Sequence, residues 1–229
     1  MRTASKLAEL AEDQWGLLTR RQAEASGVSP ATLQRLSAPD GVLERRAQGV
    51  YHLAGAPLPD HAPLRAAWLA LAPETLAWER RPEQGVVSHR SAASVYGIGH
   101  LSADRQEFTL PARRQTRRKD VRLHRRELAD AEWKALRGLP VTRPSRIAAD
   151  LLGEREDPEA VAQVVVDAIR NVYDYPGTFA EALSPAAARL GFRPGDGLAV
   201  LRWLLELADE PETQRWLGEA RSTVEHDAA

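Results

Sequence analysis

The chain of 229 residues has no cysteine, which excludes disulfide staples, thiolate zinc sites and cysteine nucleophiles together. That absence fits a reducing interior. No run of about 18 uncharged apolar residues is present to cross a bilayer, and the opening MRTASKLAEL lacks the apolar stretch of a secretion signal. The expectation is a cytoplasmic protein with no membrane partner. Glycines nowhere approach a phosphate-loop pattern. His52, His61, His89, His100, His124 and His226 are scattered singly, without metal-ligand spacing. No metal and no cofactor are therefore expected. Ser88 and His89 are adjacent, whereas a hydrolytic pair needs separated residues brought together beside an orienting acid; capping is the plainer role for Ser88.

An apolar fraction of 43% with 28% charged residues is ordinary for a globular chain with a buried core, and the length suits two small domains. The net charge of −1 conceals an uneven distribution. Residues 1–60 carry 7 basic and 7 acidic side chains, residues 61–146 carry 17 and 9, and residues 147–229 carry 7 and 16. A basic middle implies either a polyanion partner or pairing with the acidic end. The stretch AGAPLPDHAP, residues 54–63, has three prolines and a glycine and reads as a stiff linker and domain boundary.

Before that boundary, Leu7, Leu10 and Ala11 recur at helical spacing, followed by the short apolar WGLL. Thr19 can cap a second helix, and Gly27 closes it where a positive φ is needed. Ser29 followed by Pro30 is a strong start for a third. Leu43 and the segment Val50 to Leu53 suggest two strands joined at AQG. The order is helix, short strand, helix, helix, hairpin.

Ala23 is the small residue where two such helices cross, Gly27 lies at the turn, and Leu33 and Leu36 are inward anchors. The remaining face carries Ala31, Thr32, Gln34 and Arg35, short, polar and basic as major-groove readers are. Ser29 is placed to donate to a phosphate. The following hairpin, with Arg45, Arg46 and Gln48, reads as a wing over a backbone or minor groove. Against this stands the neutral charge of residues 1–60, because neutralised phosphates supply most sequence-independent affinity.

The stretch GLLTRRQAEASGVSPATLQRLSAPDGVLERRAQGVYHLAG resembles the N-terminal winged domain of the AbiEi antitoxins: Thr19 opens the second helix, Gly27 to Ser29 form the turn, and Gly49 to Tyr51 close the wing. The later segments VVSHRSAASVYGIG and LPVTRPSRIAADLL are similar to that family as well, so the resemblance spans roughly residues 5 to 152. It implies a DNA-binding antitoxin that represses its own operon and counteracts a neighbouring nucleotidyltransferase toxin without a tight complex.

Beyond the linker, Leu64, Trp68 and Leu71 share a helical face. SHRSAASVYG is a second helix ending at Gly97, and QEFTLPA and VRLHRREL alternate as strands. Their connection lies in the tract PARRQTRRKDVRLHRRE, residues 111–127, which either follows a phosphate backbone, with Arg117 and Arg118 at its tip, or is a solvated loop pairing with the acidic end. Helices follow at RPSRIAADLL, at PEAVAQVVVDAIRNVYD and at DGLAVLRWLLELAD, and the end from Pro211 is expected to fray. The six tryptophans read mostly as core. Nuclease-fused relatives raise an enzyme reading, in which Glu132 to Lys134 supply a Glu-x-Lys half-site and Asp40 or Asp60 the other half; Glu132, however, sits in a polar stretch without strand alternation. Asp130 and Glu132 lack the Gly-Ser loop of a nucleotidyltransferase.

The reading is an α+β protein: a winged helix-turn-helix over 1–56, a mixed α/β domain over 64–210 ending in helices, and a tail over 211–229. It is expected to bind double-stranded DNA at its own operator as a non-enzymatic repressor through Ser29, Thr32, Gln34, Arg35, Arg45, Arg46, Gln48, Arg117 and Arg118. The alternatives are a stand-alone regulator without a toxin and a metal-dependent nuclease.

Overall fold

A computed structural model describes residues 2–227, which divide into two compact units: residues 2–85 with 116–121, and residues 86–115 with 122–227. The fold is mixed helix and strand throughout, as an α+β reading requires.

The first unit begins with α1 (Arg2–Glu12), β1 (Leu17–Thr19), α2 (Arg20–Ala25), α3 (Pro30–Leu36), β2 (Leu43–Ala47) and β3 (Val50–Leu53). The strands form an antiparallel sheet in the order β1-β3-β2. Each local signal has its structural counterpart. Thr19 accepts the Gln22 N–H at 3.1 Å, and the Gln22 carboxamide reaches back to the Thr19 N–H at 2.9 Å, a reciprocal cap that satisfies two otherwise orphaned donors. Leu7, Ala11, Leu18, Ala23, Val28, Leu33 and Leu43 make one core, with Leu10, Leu36, Tyr51 and Leu53 packed at its edge.

The break between the units falls after Gly85 rather than in the proline-rich stretch 54–63. Proline at the first turn starts a helix as readily as it stiffens a linker, and α4 (Ala62–Leu71) begins there and packs on the three-stranded sheet. Trp68 is buried in α4, donates to the Gly85 carbonyl at 2.7 Å and carries the Arg80 guanidinium over its ring.

The second unit is built on a five-stranded sheet, in the order β6 (Val121–Arg125), β5 (Gln106–Leu110), β4 (Val86–Val87), β8 (Leu139–Thr142) and β7 (Trp133–Leu136). β4 runs parallel to β8 and antiparallel to β5, while β7 and β8 are an antiparallel hairpin. Around it lie α5 (His89–Tyr96), α6 (Pro144–Gly153), α7 (Pro158–Arg170), α8 (Pro176–Leu183), α9 (Gly197–Leu207) and α10 (Thr213–Asp227). The core side of α7 is Val161, Val164, Val165, Ala168 and Ile169, the three-and-four spacing of an amphipathic helix.

Four expectations need correction here. The end of the chain is not frayed: α10 buries Trp216, Leu217 and Ala220 against α8 and α9. Its contact with α8 is close enough that a Cβ at Gly177 would lie 2.7 Å from the Thr223 Cβ. Ser88 stands at the start of α5 without capping it, because its hydroxyl is bound by Thr109 at 2.9 Å and by His89 Nδ1 at 3.0 Å. The stretch holding Glu132 to Lys134 leads into an edge strand, β7, whose pattern is masked by the exposed Ala135 and the charged Lys134. Of the tryptophans, Trp68 and Trp216 are buried, Trp15, Trp133 and Trp203 are half-buried, and Trp78 is exposed.

Candidate nucleic-acid interface

Two helices joined by a tight turn present one face of α3 outward. The turn depends on Gly27, whose φ of +89° is unfavourable for any residue bearing a Cβ. Ser29 then caps α3: its hydroxyl accepts the Thr32 N–H at 3.2 Å and donates to Thr32 Oγ1 at 2.9 Å. Pro30 occupies the first helical position at no cost, because its missing N–H has no partner there. Leu33 is buried and Leu36 half-buried against the core. That anchoring fixes which side of the helix is free.

On the free side, Ser29, Ala31, Gln34 and Arg35 are exposed and Thr32 is half-buried. The side chains of Gln34 and Arg35 have no hydrogen bond or ion pair among the described residues. Thr32 and Arg35 lie three residues apart, hence on neighbouring positions of one face. Such a face offers a bidentate guanidinium, a carboxamide and a hydroxyl, the groups that distinguish base edges in a major groove.

The hairpin of β2 and β3 is closed by Gln48 and Gly49, the latter at a φ of +71°, a left-handed conformation that favours glycine. The Gly49 carbonyl accepts the Arg20 N–H at 2.8 Å, tying the tip to the start of α2. The pairing passes from Arg45 opposite Tyr51 to Ala47 opposite Val50, so Arg46 is the extra residue of a bulge. Glu44, Arg45, Arg46 and Gln48 are all exposed. Arg46 is paired with Glu44, and Arg45 Nε donates to the Ala47 carbonyl at 3.4 Å.

The basic tract is divided among several partners. Arg117 is exposed and has no side-chain partner among the described residues. Arg118 is held by Asp120, from Nε at 3.1 Å and from its terminal nitrogen at 2.5 Å; this bond lowers the Asp120 carboxyl below its ordinary range. Arg122 bonds Glu154 at 2.7 Å, and Arg126 lies 3.4 Å from Glu132. The pairing with the acidic end foreseen from composition thus exists for Arg122.

Glu132 also accepts the Ala129 N–H at 2.9 Å and faces Arg146 at 3.3 Å, while Lys134 donates to the Tyr173 carbonyl at 3.4 Å. Asp40 and Asp60, offered as the other half of a nuclease site, belong to the first unit and Glu132 to the second. The histidines, scattered in sequence, are not all apart in space. His89 and His124 stack at 3.5 Å beside Glu154, with potential ligand atoms of the three within 4.8 Å of one another. They reach one place from a helix start and a strand, a proximity that no local spacing announces. The side chain of His226 lies outside the described residues.

No helix among the described residues is long and apolar enough to cross a membrane. Residues 5–54, which comprise most of α1 and all of the helix-turn-helix and its wing, match the family of transcriptional regulators described as AbiEi antitoxin. No curated protein matches the chain.

Proposed function

We propose that this chain, whose first 54 residues include a regulator domain of the AbiEi antitoxin type, is a sequence-specific DNA-binding antitoxin that represses its own operon. In this reading α3 enters the major groove. Thr32, Gln34 and Arg35 read base edges, while Ser29, Arg45, Arg46, Gln48, Arg117 and Arg118 hold phosphates. Arg117 is the freer of the last two, since Arg118 must leave Asp120 to bind DNA. The protein acts in the cytoplasm and counteracts a nucleotidyltransferase toxin without a tight complex. The role calls for no catalysis.

The observation that carries the reading is the exposed pair Gln34 and Arg35, unpartnered among the described residues on a helix whose other face is pinned by buried Leu33. A charged donor left free on a rigid scaffold is ready for an external acceptor at little ordering cost. The test is a mobility shift on the duplex upstream of the protein's own reading frame against random duplex of equal length, at two salt concentrations. Preferential binding that weakens with salt supports the proposal, and equal binding to both duplexes overturns it. A stand-alone regulator shares the same head. The neighbouring reading frame separates the two, by encoding a nucleotidyltransferase or not.

A further inference from the structure

The proline-rich stretch 54–63 serves as a wall. With α1 it borders an apolar cavity of about 510 Å³ in the first unit, inside the range of roughly 300–1,000 Å³ for ligand pockets. Ala8 and Ala11 line it from α1, Leu53, Pro57 and Pro59 from β3 and the chain beyond it, and Trp15 from the turn between α1 and β1. An engineered apolar cavity of about 150 Å³ holds benzene, so this one has room for two fused rings.

Trp15 is fixed before any ligand arrives. Its φ is +59° and that of Gly16 is +75°, and two left-handed residues in succession turn the chain from α1 into β1. For a residue with a Cβ that conformation is uncommon and has a cost in backbone energy. From α4, the Arg65 guanidinium lies 4.2 Å from the centre of the Trp15 ring, and Trp68 packs against it edge to face with centroids 6.1 Å apart. A ligand therefore meets a wall already in place, which lowers the ordering cost of binding.

The charge at the cavity is of one sign. Glu12 lines it, is exposed, and has no hydrogen bond or ion pair among the described residues. It is the last residue of α1, whose final turn carries no basic side chain. A helix C-terminus already presents about half a negative charge, and the exposed Asp13 follows. Alone, Glu12 would be one more solvated carboxylate. Beside an apolar wall it discriminates, because a molecule that buries its rings there brings its own charge up to the carboxylate and the helix end. A cation is drawn in and an anion of the same shape is repelled. Because Arg65 already occupies the Trp15 ring as its cation, the charge of the ligand belongs at Glu12.

We infer that the cavity binds a small arylalkylamine in its protonated form. The rings pack between Ala8, Ala11, Leu53 and Pro57, and the ammonium group donates to the Glu12 carboxylate, a charge-assisted hydrogen bond. The inference is independent of DNA binding and is tested without a duplex.

The test is calorimetric titration of the full chain at neutral pH with naphthylmethylamine, with naphthalenemethanol and with naphthoate. The expected result is saturable binding of the amine, at least tenfold tighter than the alcohol, and none of the carboxylate. Glu12→Gln should remove the difference between amine and alcohol. Glu9→Gln, at an exposed residue of α1 outside the lining, should preserve it. Ala8→Phe, checked for folding by circular dichroism, should fill the cavity and weaken amine and alcohol together. No saturable binding of the amine overturns the inference, as does an amine no tighter than its alcohol, a carboxylate as tight as the amine, or equal loss with Glu12→Gln and Glu9→Gln. A dimer in sedimentation that Ala8→Phe dissociates, with no amine bound, overturns it in favour of a second copy of the chain, seated through Leu58, the exposed apolar side chain between the two prolines.

Discussion

The carboxamides of Gln14 and Gln22 bond each other in both directions, at 3.1 Å from Gln14 Nε2 and at 3.0 Å from Gln22 Nε2, with both side chains buried. The same two groups take the Thr75 carbonyl at 2.9 Å and the Ala77 N–H at 2.9 Å. Thr19 adds a bond from its hydroxyl to the Pro73 carbonyl. The winged head is therefore stitched to the chain that follows α4, which is why the first unit outlasts the wing. A buried network of this kind is stabilising only while every member is satisfied.

Gln22→Leu should lower the stability of the first unit by about 1–3 kcal/mol, because it strands donors and acceptors that water cannot reach. Replacing Gln14 and Gln22 together by leucine should cost less than the two single losses added, since contacting residues couple. Urea denaturation of the parent, both singles and the double measures this. Strict additivity would show that the pair is not a unit.

Arg35→Ala is expected to weaken specific DNA binding by roughly 1–3 kcal/mol and to relax the choice at one base pair, as the loss of a base-reading arginine does. Arg117→Ala should instead weaken cognate and random duplex alike and reduce the salt slope by about one unit. Titrations at several salt concentrations distinguish the two. An Arg35→Ala protein that binds both duplexes as the parent does would remove Arg35 from the reading set.

Trp216→Ala should destabilise the second unit by roughly 3–5 kcal/mol, the usual cost of deleting a buried indole. Trp216 belongs to the core of that unit. A thermal melt of the variant beside the parent measures the loss, and an unchanged transition would return α10 to the status of an appendage.

His89 should make stability depend on pH. Burial first, then His124, then the charges of Arg122 and Arg146, push its imidazole down from 6.5 to about 2. Those groups face it from β6 and α6, and Glu154, the carboxylate across from Nε2, stands 4.0 Å away. The folded protein keeps this ring neutral while the unfolded chain protonates it below 6.5. Stability from this source is thus full above pH 6.5 and falls as the pH drops toward 2, by up to about 1.4 kcal/mol per pH unit. His89→Gln should flatten the difference between urea midpoints at pH 7 and pH 5. A variant with the parent's full pH dependence would assign it to other groups.

The head was readable because its signals are local. Thr19, Gly27 and Ser29 act within three or four residues of themselves, and the apolar residues between them keep a helical period. Ser88 carries the same capping signal and caps nothing. Its hydroxyl is claimed by Thr109, from a strand that pairs only after the chain has folded. The stacking of His89 on His124 has the same origin. The α10 helix was different: Trp216, Leu217 and Ala220 do stand at helical spacing, but the flanking Pro211 and the density of charge masked a stripe this narrow. In β7 the alternation is missing from the residues themselves, since the charged Lys134 is half-buried and the apolar Ala135 is exposed.

The extra residue at Arg46 has a consequence for how the wing can change. Arg45 faces Tyr51 and Ala47 faces Val50 on either side of it, the register of an unbroken ladder with one residue inserted. Deletion of Arg46 would therefore take one cation and the local kink out of the wing while every remaining cross-strand pair kept its partner, so the hairpin can lose this arginine without losing its register.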